Sequence, residues 1–310
     1  MLRAGLLWLS ERPRVFRFVR ANGFAQKLAA RFVAGETIET AVRAVSELNA
    51  LGARATLDVL GELATDAREA SAARDAYLAA LDRIAQAGVQ SHVSVKLTQM
   101  GIDIDEQLCV DNVRAIITRA RQYRSFVRID MEGSAYTART LKLFTECFHP
   151  EFGDAVGVVL QSYLRRTAQD LEAMIARRAR VRLCKGAYKE SADVAFPAKR
   201  DVDATYVACM MRLLEEGNYP AIATHDERIL ARAKAFTRER AIPADRYEFQ
   251  MLYGVRRDVQ QALRREGYGL RVYVPYGNQW YPYLMRRLAE RPANVAFLLG
   301  NLIKESVRRS

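Results

Sequence analysis

From Ala53 onward, short runs rich in β-branched and aromatic residues alternate with longer amphipathic stretches. Eight runs have strand character: ARATLDVLG from Ala53, SHVSVKLTQMG from Ser91, FVRIDMEG from Phe126, GVVLQSY from Gly157, RVRLCKGAY from Arg180, AIATHD from Ala221, YEFQMLYG from Tyr247 and LRVYVPYG from Leu270. Between them apolar residues recur at helical spacing. In ARDAYLAALDRIAQAG, Ala76, Leu78, Ala80, Leu81 and Ile84 fall mostly on one face before Gly88 stops the helix. This alternation predicts parallel strands joined by helical crossovers, and eight units in residues 53–310 match a (β/α)8 TIM barrel. An open doubly wound sheet is the runner-up, but no strand is followed by a Gly-x-Gly-x-x-Gly fingerprint. Residues 1–52 form an expected N-terminal helical arm, with its clearest helix in GETIETAVRAVSELNALG, Thr37 as N-cap and Gly52 as stop.

Charge changes the picture little. Lys and Arg outnumber Asp and Glu 48 to 36, a net charge of +12, but the excess is spread as doublets such as Arg165-Arg166 and Arg256-Arg257 on expected helices. That distribution argues against a nucleic-acid-binding module. Cys109, Cys147, Cys184 and Cys209 have neither C-x-x-C spacing nor the pattern of a disulfide scaffold, which points to a reducing, cytoplasmic compartment. No apolar run reaches the roughly 18 to 20 residues that span a bilayer. The segment from Leu2 to Val33 is Arg-rich with Glu11 as its sole acid, so an ordinary helix competes with a transit peptide or a membrane-surface helix.

Barrel enzymes place their chemistry at the C-terminal strand ends. Here those ends carry Asp58 and Glu62, Lys96, Asp130 and Glu132, Gln161, Arg182 and Lys185, Thr224 and His225, Gln250 and Tyr253, and Tyr273 and Tyr276. The strand starts carry only what reads as ordinary surface arginines. Arg182 lies within an apolar strand, and an unpaired buried charge costs several kcal/mol, on the order of a single ion's desolvation penalty, so it and Lys185 must face something negative or electron-rich. In WYPYLMRRLAE, with Pro282 at the first helical position, Tyr283, Arg286, Arg287 and Glu290 share a face suited to gripping a carboxylate. His225, beside Asp226, has no partner at metal-ligand spacing: His92 belongs to a strand start and His149 to a loop, so no metal is expected. Lys96 or Lys185 would serve as the Schiff-base lysine of an aldolase-like or pyridoxal-phosphate barrel, the main alternative chemistry.

Four segments, TLDVLGE, RLCKGAY, EFQMLYG and VPYGNQWYPYLMRRLAERPANVAF, occur in the order of the proline dehydrogenase family, which the chain resembles from about residue 36 to its C-terminus. The resemblance implies a distorted barrel that holds FAD non-covalently and oxidises L-proline to Δ1-pyrroline-5-carboxylate. Carried over, Arg182, Lys185, Gly186, Ala187, Tyr188, Met131, Gln161, Thr224, His225 and Glu290 match cofactor-binding positions. Lys96, Asp130, Leu252, Tyr273, Tyr283, Arg286 and Arg287 match the substrate pocket, with Asp130 and Arg182 nearest the chemistry and Glu62 as a gating carboxylate for the arginine doublet. The resemblance further implies a membrane quinone as electron acceptor, which suits transient contact with anionic lipid on the inner face of the cytoplasmic membrane, and it is compatible with a homo-oligomer. Lys189 stands where many bifunctional members have tryptophan, and the segment from Tyr273 to Arg286 is shorter than theirs; 310 residues leave no room for a second catalytic domain, so a single-function form is expected.

Overall fold

A computed structural model describes residues 29–290, with side chains to Met285. Strands β1 (Arg54–Val59), β2 (Ser91–Val95), β3 (Val127–Ile129), β4 (Val156–Gln161), β5 (Arg180–Cys184), β6 (Ala221–Ala223), β7 (Glu248–Leu252) and β8 (Leu270–Tyr276) form a closed parallel barrel in chain order. Each lies in one of the eight runs marked by the sequence, except that β4 begins one residue earlier, at Val156. Closure comes from β1 and β8, which pair from Arg54 opposite Arg271 to Val59 opposite Tyr276.

Helix α1 (Ile38–Ala50) precedes β1, and α2 (Ala67–Ala87), α3 (Glu106–Gln122), α4 (Ser134–Leu143), α5 (Thr167–Ala176), α6 (Lys199–Glu216), α7 (Glu227–Glu239), α8 (Arg257–Arg265) and α9 (Trp280–Glu290) follow the successive strands. Thr37 caps α1, its hydroxyl accepting from the Thr40 N–H, and Gly52 leaves the helix at φ 76°. Ala41, Val42, Ala44 and Val45 are the buried face of α1.

Three local expectations shift. Helix α2 begins earlier than the apolar pattern marks, at Ala67, capped by Asp66, whose carboxylate accepts from the Glu69 N–H at 2.8 Å. Its buried face uses Tyr77 rather than Leu78. His149 is not in a loop: α4 continues through a π-helical stretch, Phe144–Phe148, into a short helix from His149 to Phe152. Helix α9 starts at Trp280, so Pro282 sits inside the first turn, where a missing N–H removes no intrahelical bond. The Arg-rich segment from Leu2 falls largely outside the described residues.

Strand periodicity decides what the barrel encloses. Successive side chains alternate faces, so Val181 and Leu183, Phe249 and Met251, and Val272 and Val274 pack outward into the apolar core beneath the helices. Their neighbours Arg182, Glu248, Gln250 and Arg271 bond to one another, Arg182 to Gln250 and Arg271 to Glu248 across strands and Gln250 to Glu248 along β7. The barrel is therefore lined by a buried polar column in place of the usual stack of branched aliphatics. This corrects the reading of the strand starts: Arg128 and Arg271 are each 3% exposed, as is Glu248, so they are not surface residues.

Candidate active site

At the barrel mouth Arg182 is held from three strands. Its Nη1 donates to Asp130 Oδ1 at 2.6 Å, Nε to Gln250 Oε1 at 2.6 Å and Nη2 to Ser94 Oγ at 3.2 Å. The guanidinium also lies 5.3 Å from the centre of the Tyr273 ring, whose hydroxyl donates to Asp130 Oδ2 at 2.8 Å. Burial, reinforced by the Asp130 and Asp58 carboxylates, pushes the Tyr273 phenol well above its ordinary range, so it remains a donor. Asp130 is thus fixed by one cation and one neutral hydroxyl.

Beside it, Lys96 Nζ lies 2.8 Å from Asp58 Oδ1. Burial by itself would lower the lysine pKa, but the Asp58, Asp130 and Glu62 carboxylates outweigh it and raise the group, leaving a protonated amine. Tyr77, from α2, reaches Asp58 Oδ1 at 3.4 Å. A Schiff-base nucleophile must be a neutral amine, so this setting disfavours that role for Lys96.

Lys185 turns the other way. Its ammonium pairs with Asp203 on α6 at 2.6 Å and with Asp226 at 2.9 Å. Both carboxyls lie below their ordinary range: partial burial acts upward, and hydrogen bonds from Lys185 and neighbouring charge overcome it. Asp226 also caps α7, accepting from the Arg228 N–H. The pair that stood together in the sequence thus divides, with Arg182 facing the barrel interior and Lys185 bracing α6 against the loop after β6.

The remaining expected residues surround this centre. Gln161 is 3% exposed; its Nε2 reaches the Met131 carbonyl at 3.4 Å, while its buried Oε1 has no hydrogen-bond partner. His225 Nε2 accepts from the Leu252 backbone N–H at 2.9 Å, which assigns the proton of the neutral ring to Nδ1. Thr224 Oγ1 accepts from the Asp226 N–H. Gly186 has φ 102°, and a Cβ there would come within 2.1 Å of the Tyr163 ring, so only glycine lets the loop carrying Ala187 and Tyr188 lie on that ring. Tyr283 is buried with Leu60, Trp280 and Leu284, with Leu252 packed against them, which seats α9 beside the β1 and β7 ends of the mouth. Glu62 is near enough to Lys96 to act on its charge. The side chains of Arg286, Arg287 and Glu290 lie outside the described residues.

Ser94, Tyr77, Tyr163 and Asp203 were not singled out from the sequence. Ser94 was detectable, since it lies two residues before Lys96 on the same strand face. Asp203 was not, because nothing in its spacing from Lys185 announces that α6 returns to that loop. Among the described residues no three His, Cys, Asp or Glu side chains gather so as to hold a metal ion.

Two observations test the fit of a flavin at this mouth. The orphaned Gln161 Oε1 is an acceptor awaiting an N–H, which the pyrimidine edge of an isoalloxazine ring offers. The Gly186 turn packs on the Tyr163 ring and so fixes the loop that carries Ala187 and Tyr188 at the β5 end of the mouth, where it can border a planar ligand. Both features suit the group.

The family model described as proline dehydrogenase matches residues 41–299. Proline dehydrogenase 1 of Bacillus subtilis is 45% identical over 305 residues, covering 98% of this chain and 100% of the relative. Proline dehydrogenase of Deinococcus radiodurans is 42% identical, with 98% of each chain covered. Among solved structures, proline utilization A from Bdellovibrio bacteriovorus inactivated by N-propargylglycine aligns with a TM-score of 0.82 and 27% identity over 89% of this chain. The chain spans only 34% of that larger protein. The barrel, the order of its polar strand ends and full-length relatives above two-fifths identity agree: the chain belongs to the proline dehydrogenase family.

Proposed function

We propose that this enzyme oxidises L-proline to Δ1-pyrroline-5-carboxylate using non-covalently bound FAD, the first step of proline catabolism, and that a membrane quinone is the eventual electron acceptor. The observation that carries this reading is the convergence of Arg182, Asp130, Tyr273 and the Lys96–Asp58 pair at the C-terminal mouth of the barrel.

FAD, when bound, supplies a two-electron acceptor for a hydride from the ring carbon next to the substrate nitrogen. The protein positions and charges the substrate. Arg286 and Arg287 on α9 supply two planar forks for the proline carboxylate, with Glu62 as their gating carboxylate. Tyr283 and Leu252 shape an apolar wall for the ring, and Lys96, held protonated, disfavours a second cation nearby and so favours the neutral amine from which hydride leaves. Arg182 contributes fixed positive charge where negative charge develops on reduction, and its three hydrogen bonds mean that little reorganisation is required. Gln161, Met131, Thr224, His225, Lys185, Gly186, Ala187, Tyr188 and Glu290 are the proposed cofactor contacts. The basic surface suits brief docking on anionic lipid, worth about 1 kcal/mol per well-placed cation.

The visible spectrum of the purified protein tests this reading, together with cofactor released by acid precipitation. Expected are a flavin spectrum, FAD in the supernatant and proline-dependent formation of the imine product. A colourless protein that does not take up added FAD overturns the proposal.

A further inference from the structure

The end of the barrel opposite the mouth holds an unbalanced charge cluster. Asp154 acts on Arg180 and Asp130 on Arg128 from beyond ion-pair distance, and among the described residues the one carboxylate at that distance from any of Arg54, Arg128, Arg180 and Arg271, on β1, β3, β5 and β8, is Glu248. Its Oε1 accepts from Arg271 Nε at 2.8 Å, and its Oε2 lies 3.2 Å from Arg54 Nη2. Among the described residues no carboxylate stands within 4.0 Å of Arg128 or Arg180. They rely on carbonyls, Arg128 donating to Val158 O and Arg180 O, and Arg180 to Asp154 O. Both also lie over Phe126, at 4.6 and 4.5 Å from the ring centre. The Nε atoms of both are buried without a hydrogen-bond partner.

The cluster is built into the strands. A Cβ at residue 157 would lie 2.5 Å from Arg128 Nη1 and 2.4 Å from the Arg180 carbonyl, so Gly157 makes room for the Arg128 side chain. Four cations with a single carboxylate at ion-pair distance, Arg128 and Arg271 among them buried, favour further negative charge beside them.

Next to these arginines is a cavity of about 500 Å³, within the size range of small-molecule sites. Arg54, Arg180 and Arg271 line it, Arg124 and Ser125 stand at its side, and Leu81 and Ile84 form an apolar flank. We propose that this floor cavity binds a small organic dianion, with its oxyanion head on Arg54, Arg180 and Arg271, Arg124 reaching the same head from the rim, and its body against Leu81 and Ile84. The site lies at the opposite end from Asp130 and Lys96 and stands whether or not the proposed reaction is correct. His92, which also lines the cavity, reports on it: burial lowers its pKa well below the ordinary range, and the charges of Arg271, Arg180, Arg128 and Arg54 lower it further.

The test is NMR titration of the imidazole resonances of the full-length, cofactor-loaded protein with inorganic phosphate and, separately, with citrate, ionic strength being matched by chloride. A saturable shift of the His92 resonance with at least one anion is expected, because a bound anion offsets the surrounding cations. Tighter phosphate binding identifies a phosphate head, and tighter citrate binding a carboxylate head. Arg180→Met and Arg124→Asn should each weaken binding by tenfold or more. Arg124 is exposed at φ 51°, a conformation that asparagine tolerates, so this variant keeps the test open if Arg180→Met fails to fold. No saturable shift with either anion, or equal affinity in the Arg124→Asn variant, overturns the site.

Discussion

Glu248 Oε1 accepts from Gln250 Nε2 at 2.6 Å and from Arg271 Nε at 2.8 Å, joining the floor of the barrel to its mouth. Gln250 passes the connection on, because its Oε1 accepts from Arg182, and Arg182 holds Asp130. One hydrogen-bonded chain thus spans the interior, and every link is a side chain that the strand pleat turns inward.

Removing the charge at its centre should be costly. Burial opposes ionisation of Glu248, but Arg271 and Arg54 overcome it and hold the carboxyl at about 2, against 4.5 for an ordinary glutamate. A depressed carboxylate pKa stabilises the fold above the unfolded value, and that stability is lost as pH falls from 4.5 toward 2. Glu248→Gln should lower unfolding free energy by about 3 to 5 kcal/mol at neutral pH. Denaturant titrations should show the gap from wild type narrowing below pH 4.5; a gap that stays constant with pH would contradict the assignment.

His92 predicts a different window. Its pKa is depressed from 6.5, so the unfolded chain binds a proton that the folded chain refuses, and stability falls as pH drops below 6.5. The slope from this one group approaches about 1.4 kcal/mol per pH unit. His92→Gln should flatten the stability profile between pH 6.5 and 5, measured by urea unfolding in a buffer free of multivalent anions. An unchanged slope would place the titration elsewhere.

Arg182→Lys tests whether charge alone suffices at the mouth. Lysine keeps the positive charge but cannot span Asp130, Gln250 and Ser94 together, and each lost bond to a charged group is worth about 1.5 to 3 kcal/mol. Proline-dependent cofactor reduction should slow by about 100-fold while bound flavin is retained. A near-wild-type rate would show that the three-way grip is dispensable.

Gly186→Ala tests the cofactor loop. Its Cβ would meet the Tyr163 ring at 2.1 Å from a backbone at φ 102°, so the loop must move. Equilibrium dialysis should show FAD affinity reduced by tenfold or more, with the thermal midpoint lowered by only a few degrees, roughly the effect of 1 kcal/mol in a domain of this size. Full affinity would free the loop from that role.

How much was legible in the sequence follows from which interactions are local. The eight strands announced themselves through β-branched runs, and Thr37, Gly52 and Gly88 through cap chemistry, because each signal lies within a few residues. The mouth residues were readable because parallel strands present their C-terminal ends together. The partners were not. Lys185 finds Asp203 and Asp226, and Arg182 finds Gln250, only when crossovers bring distant strands into register. The floor arginines were misread for a related reason: at a strand start, surface arginine and barrel-interior arginine look alike until closure fixes which face turns inward.

The most direct test of the central claim is anaerobic mixing of the FAD-loaded protein with L-proline, followed by visible absorbance, for wild type and Asp130→Asn. Wild type should lose its oxidised-flavin absorbance in a proline-dependent manner, and Asp130→Asn should do so at least 100-fold more slowly while keeping its flavin. A wild-type flavin that stays oxidised, or an Asp130→Asn rate equal to wild type, would contradict the account.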